Sequence, residues 1–183
     1  MGKVVLGLRV SLDGFVNDKD GSAGPLYPDG ATMSNDPLLQ EAIRDTGAVV
    51  MGRHSYDMAE GDYTGYEFQV PIFVVTHNPP EVVAKGENDN LSFTFVTEGV
   101  ESAIHQASVA AGEKDVTIVG GPNLMMQALK AGIVDEVQID IVPILLGQGL
   151  RLFDNLGSEP IKLEIIQVSD PQTYTHLRYR VVK

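Results

Sequence analysis

No cysteine occurs among the 183 residues, which excludes disulfides, thiolate metal sites and cysteine nucleophiles. That absence fits a reducing compartment. Positive charge is scarce as well: 13 lysines and arginines stand against 25 aspartates and glutamates, a formal charge of −12. Nucleic acid and anionic lipid both need a basic footprint, so neither is an expected partner. An anionic cofactor held in one locally basic cleft is still compatible with this balance. No apolar run approaches a membrane span. The N-terminal MGKVVLGLRVSLDG alternates as a strand does and carries no signal-type apolar core. A cytoplasmic protein is expected. G-x-G-x-x-G is missing too, because Gly147-Gln148-Gly149 runs into Leu150-Arg151-Leu152, and there is no Walker A motif. A standard dinucleotide fold and a P-loop NTPase are therefore disfavoured.

The length, with 43% hydrophobic residues, suits a single domain, 1–183, around one core. In the first strand Val4, Leu6, Leu8, Val10 and Leu12 share one face, while Gly7, Arg9, Ser11 and Asp13 share the other. A glycine- and proline-studded loop from Asn17 to Thr32 has the composition of a lid. Ser34 or Asn35 is placed to cap a helix with Pro37 in its first turn. Leu38, Leu39, Ala42 and Ile43 form its apolar stripe, and Gly47 is expected to end it.

Strands then alternate with helices. Ala48–Met51, Val70–Val75, Phe93–Val96 and Val116–Val119 read as strands, with helices over Glu101–Ala111 and Pro122–Ala131. Near the C-terminus Val137–Leu145, Ile161–Val168 and Tyr174–Val182 read as strands, the last two as a hairpin around Asp170-Pro171-Gln172 with one wetter face. The expected class is α/β: a central mixed, mostly parallel sheet flanked by helices, with a C-terminal antiparallel hairpin.

Chemistry gathers where strands meet helices. In VTIVGGPNLMMQ, residues 116–127, a β-branched run stops at Gly120-Gly121 and Pro122 opens a helix. A helix N-terminus leaves N–H groups unpaired and carries partial positive charge. Glycines ahead of it let a phosphate approach the main chain without meeting a Cβ. Pro122 has no N–H to offer, but Asn123, Leu124 and Met125 do. A plain turn needing positive φ fits the same residues. AVVMGRHSYD repeats the junction, with Gly52 followed by Arg53, His54 and Ser55. An arginine fork suits a phosphate, and pairing with Asp57 or Glu60 is the alternative. PIFVVTH ends on Thr76-His77, a hydroxyl and an imidazole. Three such strand ends together match the ligand crevice of an open α/β sheet and predict a bound nucleotide.

These segments resemble the dihydrofolate-reductase-like superfamily, most closely its branch shared with the reductase domain of bifunctional riboflavin-biosynthesis enzymes. The resemblance covers nearly the whole length and rests on VSLDGFV, VVMGRHSYD, PIFVVTH, TIVGGPNLMMQAL and VDEVQIDIVPILLGQGLRLF. It implies an NADPH-dependent reductase that passes hydride to a small pyrimidine- or pterin-like heterocycle or a carbonyl compound, similar to the riboflavin-pathway 5-amino-6-(5-phosphoribosylamino)uracil reductase. By the same resemblance Gly52, Arg53, His54 and Ser55 line the phosphates, and Thr76 with His77 lies near the adenosine 2′-phosphate. Gly120, Gly121, Pro122, Asn123 and Leu124 would hold the pyrophosphate, Val119 would also belong to the cofactor site, Val10 and Ser11 would lie beside the nicotinamide, and the Gly120-Gly121 bond would be cis. A homodimer is implied too. With no cysteine, the zinc deaminase half of the bifunctional enzymes has no place in this sequence.

Two carboxylates are candidate catalytic groups. Asp36 lies about fifteen residues before Met51, close to the spacing of the first-helix acid in dihydrofolate reductases, but it also directly precedes Pro37 as a cap would. Asp13 ends the face shared with Arg9 and Ser11 and could donate a proton if burial raised its pKa. An Asx turn with Gly14 is its alternative. His176 reads as a solvated strand residue, and LLGQG as backbone geometry. Set against the enzyme is a nucleotide-binding homodimer without turnover, having the phosphate shelf and no proton donor.

Overall fold

Apolar runs too short for helices recur along the chain and become strands, the central ones, such as Val4–Ser11, Thr46–Gly52 and Asp115–Gly120, covered on both faces. The computed structural model describes residues 2–27, 36–154 and 156–183. In chain order the elements are β1 (Val4–Ser11), α1 (Pro37–Asp45), β2 (Thr46–Gly52), α2 (Arg53–Asp57), β3 (Ile72–Val75), β4 (Phe93–Val96), α3 (Val100–Ala111), β5 (Asp115–Gly120), α4 (Pro122–Lys130), β6 (Glu136–Val142), β7 (Leu163–Ser169) and β8 (Thr175–Val181). A 3-10 turn, Gly24–Leu26, lies between β1 and α1. The strands form one sheet in the order β4-β3-β2-β5-β1-β6-β8-β7. Every pairing from β4 to β6 is parallel, whereas β8 runs antiparallel to both β6 and β7. The mixed, mostly parallel sheet with its C-terminal hairpin is thus the architecture expected.

Burial on both faces explains the continuous apolar runs. Along β2, Ala48 and Val50 join a cluster with Ala103 and Ala107 of α3 and Met125 of α4. The alternate residues Val49 and Met51 join a second cluster with Tyr56, Tyr63 and Ile72. Val100, Ala103, Ile104, Ala107 and Ser108 make the buried stripe of α3 at helical spacing. Leu6, Ile118 and Met125 are fully buried, and each such side chain contributes about 1.5–3 kcal/mol relative to exposure.

The structure departs from the sequence reading in several places. Gly47 does not end α1; it lies inside β2. A Cβ there would come within 2.7 Å of Lys114 Cβ and 2.9 Å of the Ala111 backbone, so the glycine admits the C-terminal end of α3 against the sheet. The helix stops at Thr46, whose N–H and hydroxyl both donate to the Ala42 carbonyl. Asp36 caps α1, accepting from the Leu38 N–H at 2.9 Å, and the expected caps Ser34 and Asn35 lie outside the described residues. So does the 28–32 portion of the Asn17–Thr32 loop. Leu12 falls beyond β1 and is exposed, and β6 stops at Val142, before Pro143. The face of β8 read as wet is covered at one end, where His176 is only 7% exposed, and Arg180 at the other end is exposed.

Candidate active site

The C-terminal ends of β1, β2, β3 and β5 lie side by side because these strands are parallel neighbours or near neighbours. Met51 pairs with Gly120 and Gly52 with Val75 in the ladders. The two glycine junctions therefore touch. A Cβ on Gly52 would lie 3.4 Å from the Gly121 nitrogen, and one on Gly120 (φ +155°) would come within 2.5 Å of Ser55 Oγ. The Gly120-Gly121 peptide is cis. In α4 the Met125 N–H is not free as expected; it donates to the Gly121 carbonyl at 3.1 Å. Asn123 and Leu124, just before it in the first turn, have no helical carbonyl to pair with. Leu124 is buried with its side chain in the core, so it offers main chain only.

Arg53, at the start of α2, donates from Nε to Asp57 at 2.8 Å and from Nη1 to the Asn78 carbonyl at 2.6 Å. The same carbonyl receives the Thr76 hydroxyl at 3.1 Å. The loop after β3 and the start of α2 are thus tied together, and Arg53 and Thr76 meet there. His77 is exposed beside them. Of Arg53's five N–H donors, the Nη2 pair is not engaged by these bonds.

A cleft of about 760 Å³ opens across this edge. Among the residues expected at the site, Asp36, His54, Ser55, Val119, Gly120, Gly121 and Pro122 line it; Val10, Ser11, Asp13, Gly52, Arg53, Thr76, His77, Asn123 and Leu124 do not. Val10 is packed in the core. The Ser11 hydroxyl is consumed locally, donating to Asp13 at 2.6 Å and accepting from the Phe15 N–H at 2.9 Å. The main chain of Ser11 is engaged as well, its N–H donating to the Phe15 carbonyl and its carbonyl accepting from the Gly14 N–H, each at 2.9 Å.

The surroundings of Asp13 favour its charged form. It accepts from Ser11 Oγ and from the N–H groups of Leu146 (3.1 Å) and Gly147 (2.8 Å). The Ser11 hydroxyl first, then these amides, pull its pKa down to about 2 against the opposing effect of desolvation. The carboxylate clamps the LLGQG turn onto the end of β1. That gives the turn its purpose and replaces the simple Asx turn with a link between segments far apart in sequence.

The other half of the cleft holds a polar cluster that the sequence reading missed. Arg9 pairs across the ladder with Asp140, and Asp140 with His176. Arg9 Nε lies 3.6 Å from Asp140, whose second oxygen is 2.7 Å from His176 Nδ1. The guanidinium sits over the rings of Tyr174 (4.6 Å) and Tyr27 (5.2 Å), and its Nη2 is 4.0 Å from Asp36. Asp36 uses one oxygen to cap α1 and the other to accept the Tyr174 hydroxyl. Burial first, then that hydrogen bond, pushes the Tyr174 phenol well above its ordinary value, so it keeps its proton. The available signal was Arg9 itself, a cation in the middle of an otherwise apolar parallel strand. Its partners could be found only through strand register.

The family model of the RibD C-terminal domain matches residues 2–176. The chain belongs to this family. An uncharacterised Bacillus subtilis protein, YyaP, is 26% identical over 158 residues, covering 82% of this chain and 80% of its own. The crystal structure of a Shewanella sp. PV-4 protein assigned to riboflavin biosynthesis is similar with a TM-score of 0.80 at 24% identity, over 99% of both chains. A Thermotoga maritima diaminohydroxyphosphoribosylaminopyrimidine deaminase/5-amino-6-(5-phosphoribosylamino)uracil reductase is similar with a TM-score of 0.68 at 16% identity, over 99% of this chain and 57% of that one. As a RibD C-terminal domain of dihydrofolate-reductase-like fold, the protein is an oxidoreductase that acts on a small molecule with a nicotinamide cofactor. No helix among the described residues is long and apolar enough to cross a membrane.

Proposed function

We propose that this RibD-type domain is an NADPH-dependent reductase of a small heterocyclic or carbonyl compound. The observation carrying this reading is the contact between Gly52 and the Gly120-Gly121 doublet, which places the starts of α2 and α4 at one edge of one cleft. The glycines leave no Cβ between a pyrophosphate and the Asn123 and Leu124 amides. Ser55 adds a hydroxyl, and Arg53, Thr76 and His77 form a donor group for the 2′-phosphate that separates NADPH from NADH. In this reading the end of β1, with Val10 and Ser11, lies towards the nicotinamide. When bound, the reduced nicotinamide supplies the hydride.

The chain's own task is to orient the acceptor, exclude water and manage one proton. Hydride adds to the carbon of a C=O or C=N bond while a proton reaches the heteroatom. Asp36 and the protonated Tyr174 hydroxyl are the acid–base pair of the substrate half. Fluorescence titration with NADPH is the direct check: saturation is expected, and none at millimolar cofactor removes the reading. Asp36→Asn keeps a competent cap and is expected to lower kcat/KM by about 10²-fold while leaving NADPH affinity unchanged. A variant with undiminished turnover would take Asp36 out of the chemistry.

The same reading makes the protein a cytoplasmic homodimer. The exposed apolar side chains of Leu163, Ile165 and Val168 on the edge strand β7 support the dimer, since an open apolar edge invites pairing with a second copy.

A further inference from the structure

The charges around the cleft are of unequal sign. Arg9 is the one lysine or arginine among the described residues lining it. Its charge is already matched by Asp140 and Asp36 and covered by two tyrosine rings. Beyond that cluster the wall carries Asp57, Glu60 and Glu67, all exposed. Arg53, the nearest other cation in sequence, is turned onto Asp57 and the Asn78 carbonyl and does not line the cleft. Lys19 is held by Asp20, and residues 28–35 contain no lysine or arginine.

The same wall is aromatic. Tyr63, Tyr66 and Phe68 follow α2 and line the cleft, with Tyr27 and the exposed Met58. Glu67 lines the same cleft, between Tyr66 and Phe68 in the chain. A phosphate on the acceptor would lose its water here, gain no free cation and face the carboxylates of Glu60 and Glu67, Asp57 being paired with Arg53. A planar ring would gain aromatic contact, and its N–H groups would find acceptors.

Resting on the reductase reading, we infer that the hydride acceptor is a neutral or cationic planar compound bearing N–H donors and no phosphate, seated against the Tyr63–Phe68 wall. Anionic ligand groups are confined to the cofactor side, at Gly120-Gly121 and at Arg53, Thr76 and His77. The two halves of one cleft thereby separate two ligands by charge.

The test uses 5-amino-6-ribosylaminouracil and its 5-phosphate, titrated calorimetrically into protein already saturated with NADPH. The phosphate-free compound is expected to bind at least about tenfold more tightly. The exposed pair Glu60→Lys with Glu67→Lys is expected to cut that preference to about threefold or less, as removal of like-charge repulsion should. Equal or tighter binding of the phosphate, binding of neither compound, or a preference unmoved in the double variant each overturns the inference. The preceding NADPH titration keeps the two ideas apart. Failure to saturate removes the cofactor reading, whereas saturation without the expected preference removes only the acceptor class.

Discussion

Asp13 and Asp36 show how neighbours assign a carboxylate its work. Asp13 accepts a hydroxyl and two amides, all of which favour its charged form, so it serves as an anionic clamp between the end of β1 and the LLGQG turn. Its folded pKa of about 2 lies below the ordinary 3.8. A depressed acid contributes stability that is fully present above about 3.8 and is lost as pH falls through about 2. Urea unfolding of wild type and Asp13→Asn should therefore show a stability gap at neutral pH that closes between about pH 4 and 2. The variant's turnover at neutral pH should be near that of wild type. A gap of constant size across that range would mean that Asp13 is not held charged by its partners. Asp36 is split instead, one oxygen serving the helix and the other the Tyr174 hydroxyl in the cleft.

At the scale of elements, two short strand–helix junctions do most of the positioning. β2 delivers Gly52 and α2, β5 delivers Gly120-Gly121 and α4, and the ladder between the two strands fixes their spacing. Arg53 is braced by Asp57 one turn along α2 and by the Asn78 carbonyl after β3, so its fork is held in place before any ligand arrives. Arg53→Ala should lower affinity for NADPH by about tenfold, the loss of roughly one charge-assisted hydrogen bond, and leave NADH affinity unchanged. Parallel titrations with the two cofactors decide it, because an equal loss for both would move Arg53 away from the 2′-phosphate. The alternation of strands and helices made these junctions visible in the sequence. The true end of α1 was not visible, since Gly47 serves close packing against α3 and not chain termination.

For the whole molecule, the sheet's order decides which faces are wet. β8 lies between β6 and β7, so β7 alone forms that edge and leaves Ile165 at 70% and Val168 at 60% exposure. If a second copy covers this edge, Ile165→Lys should convert a dimer into a monomer in sedimentation velocity runs while NADPH still binds. A wild-type protein that is monomeric at all concentrations would remove the homodimer from the proposal. The same order buries His176, because β6 places Asp140 beside it and α1 with Tyr174 and Tyr27 closes over the row.

The sequence by itself determined the α/β class, nearly every strand and helix to within a few residues, the glycine junctions and the RibD family. Hydrophobic period, β-branched runs and glycine placement are local properties, and local properties survive in a linear string. Only the tertiary structure decided which charges meet. Arg9, Asp140 and His176 stand at one level because β1, β6 and β8 pair in a particular register, set by crossovers whose lengths no short window contains. Asp13 likewise owes its depressed pKa to the neighbouring Ser11 hydroxyl and, beyond it, to amides more than a hundred residues away. A side chain's environment belongs to the fold, and its chemistry follows from that environment.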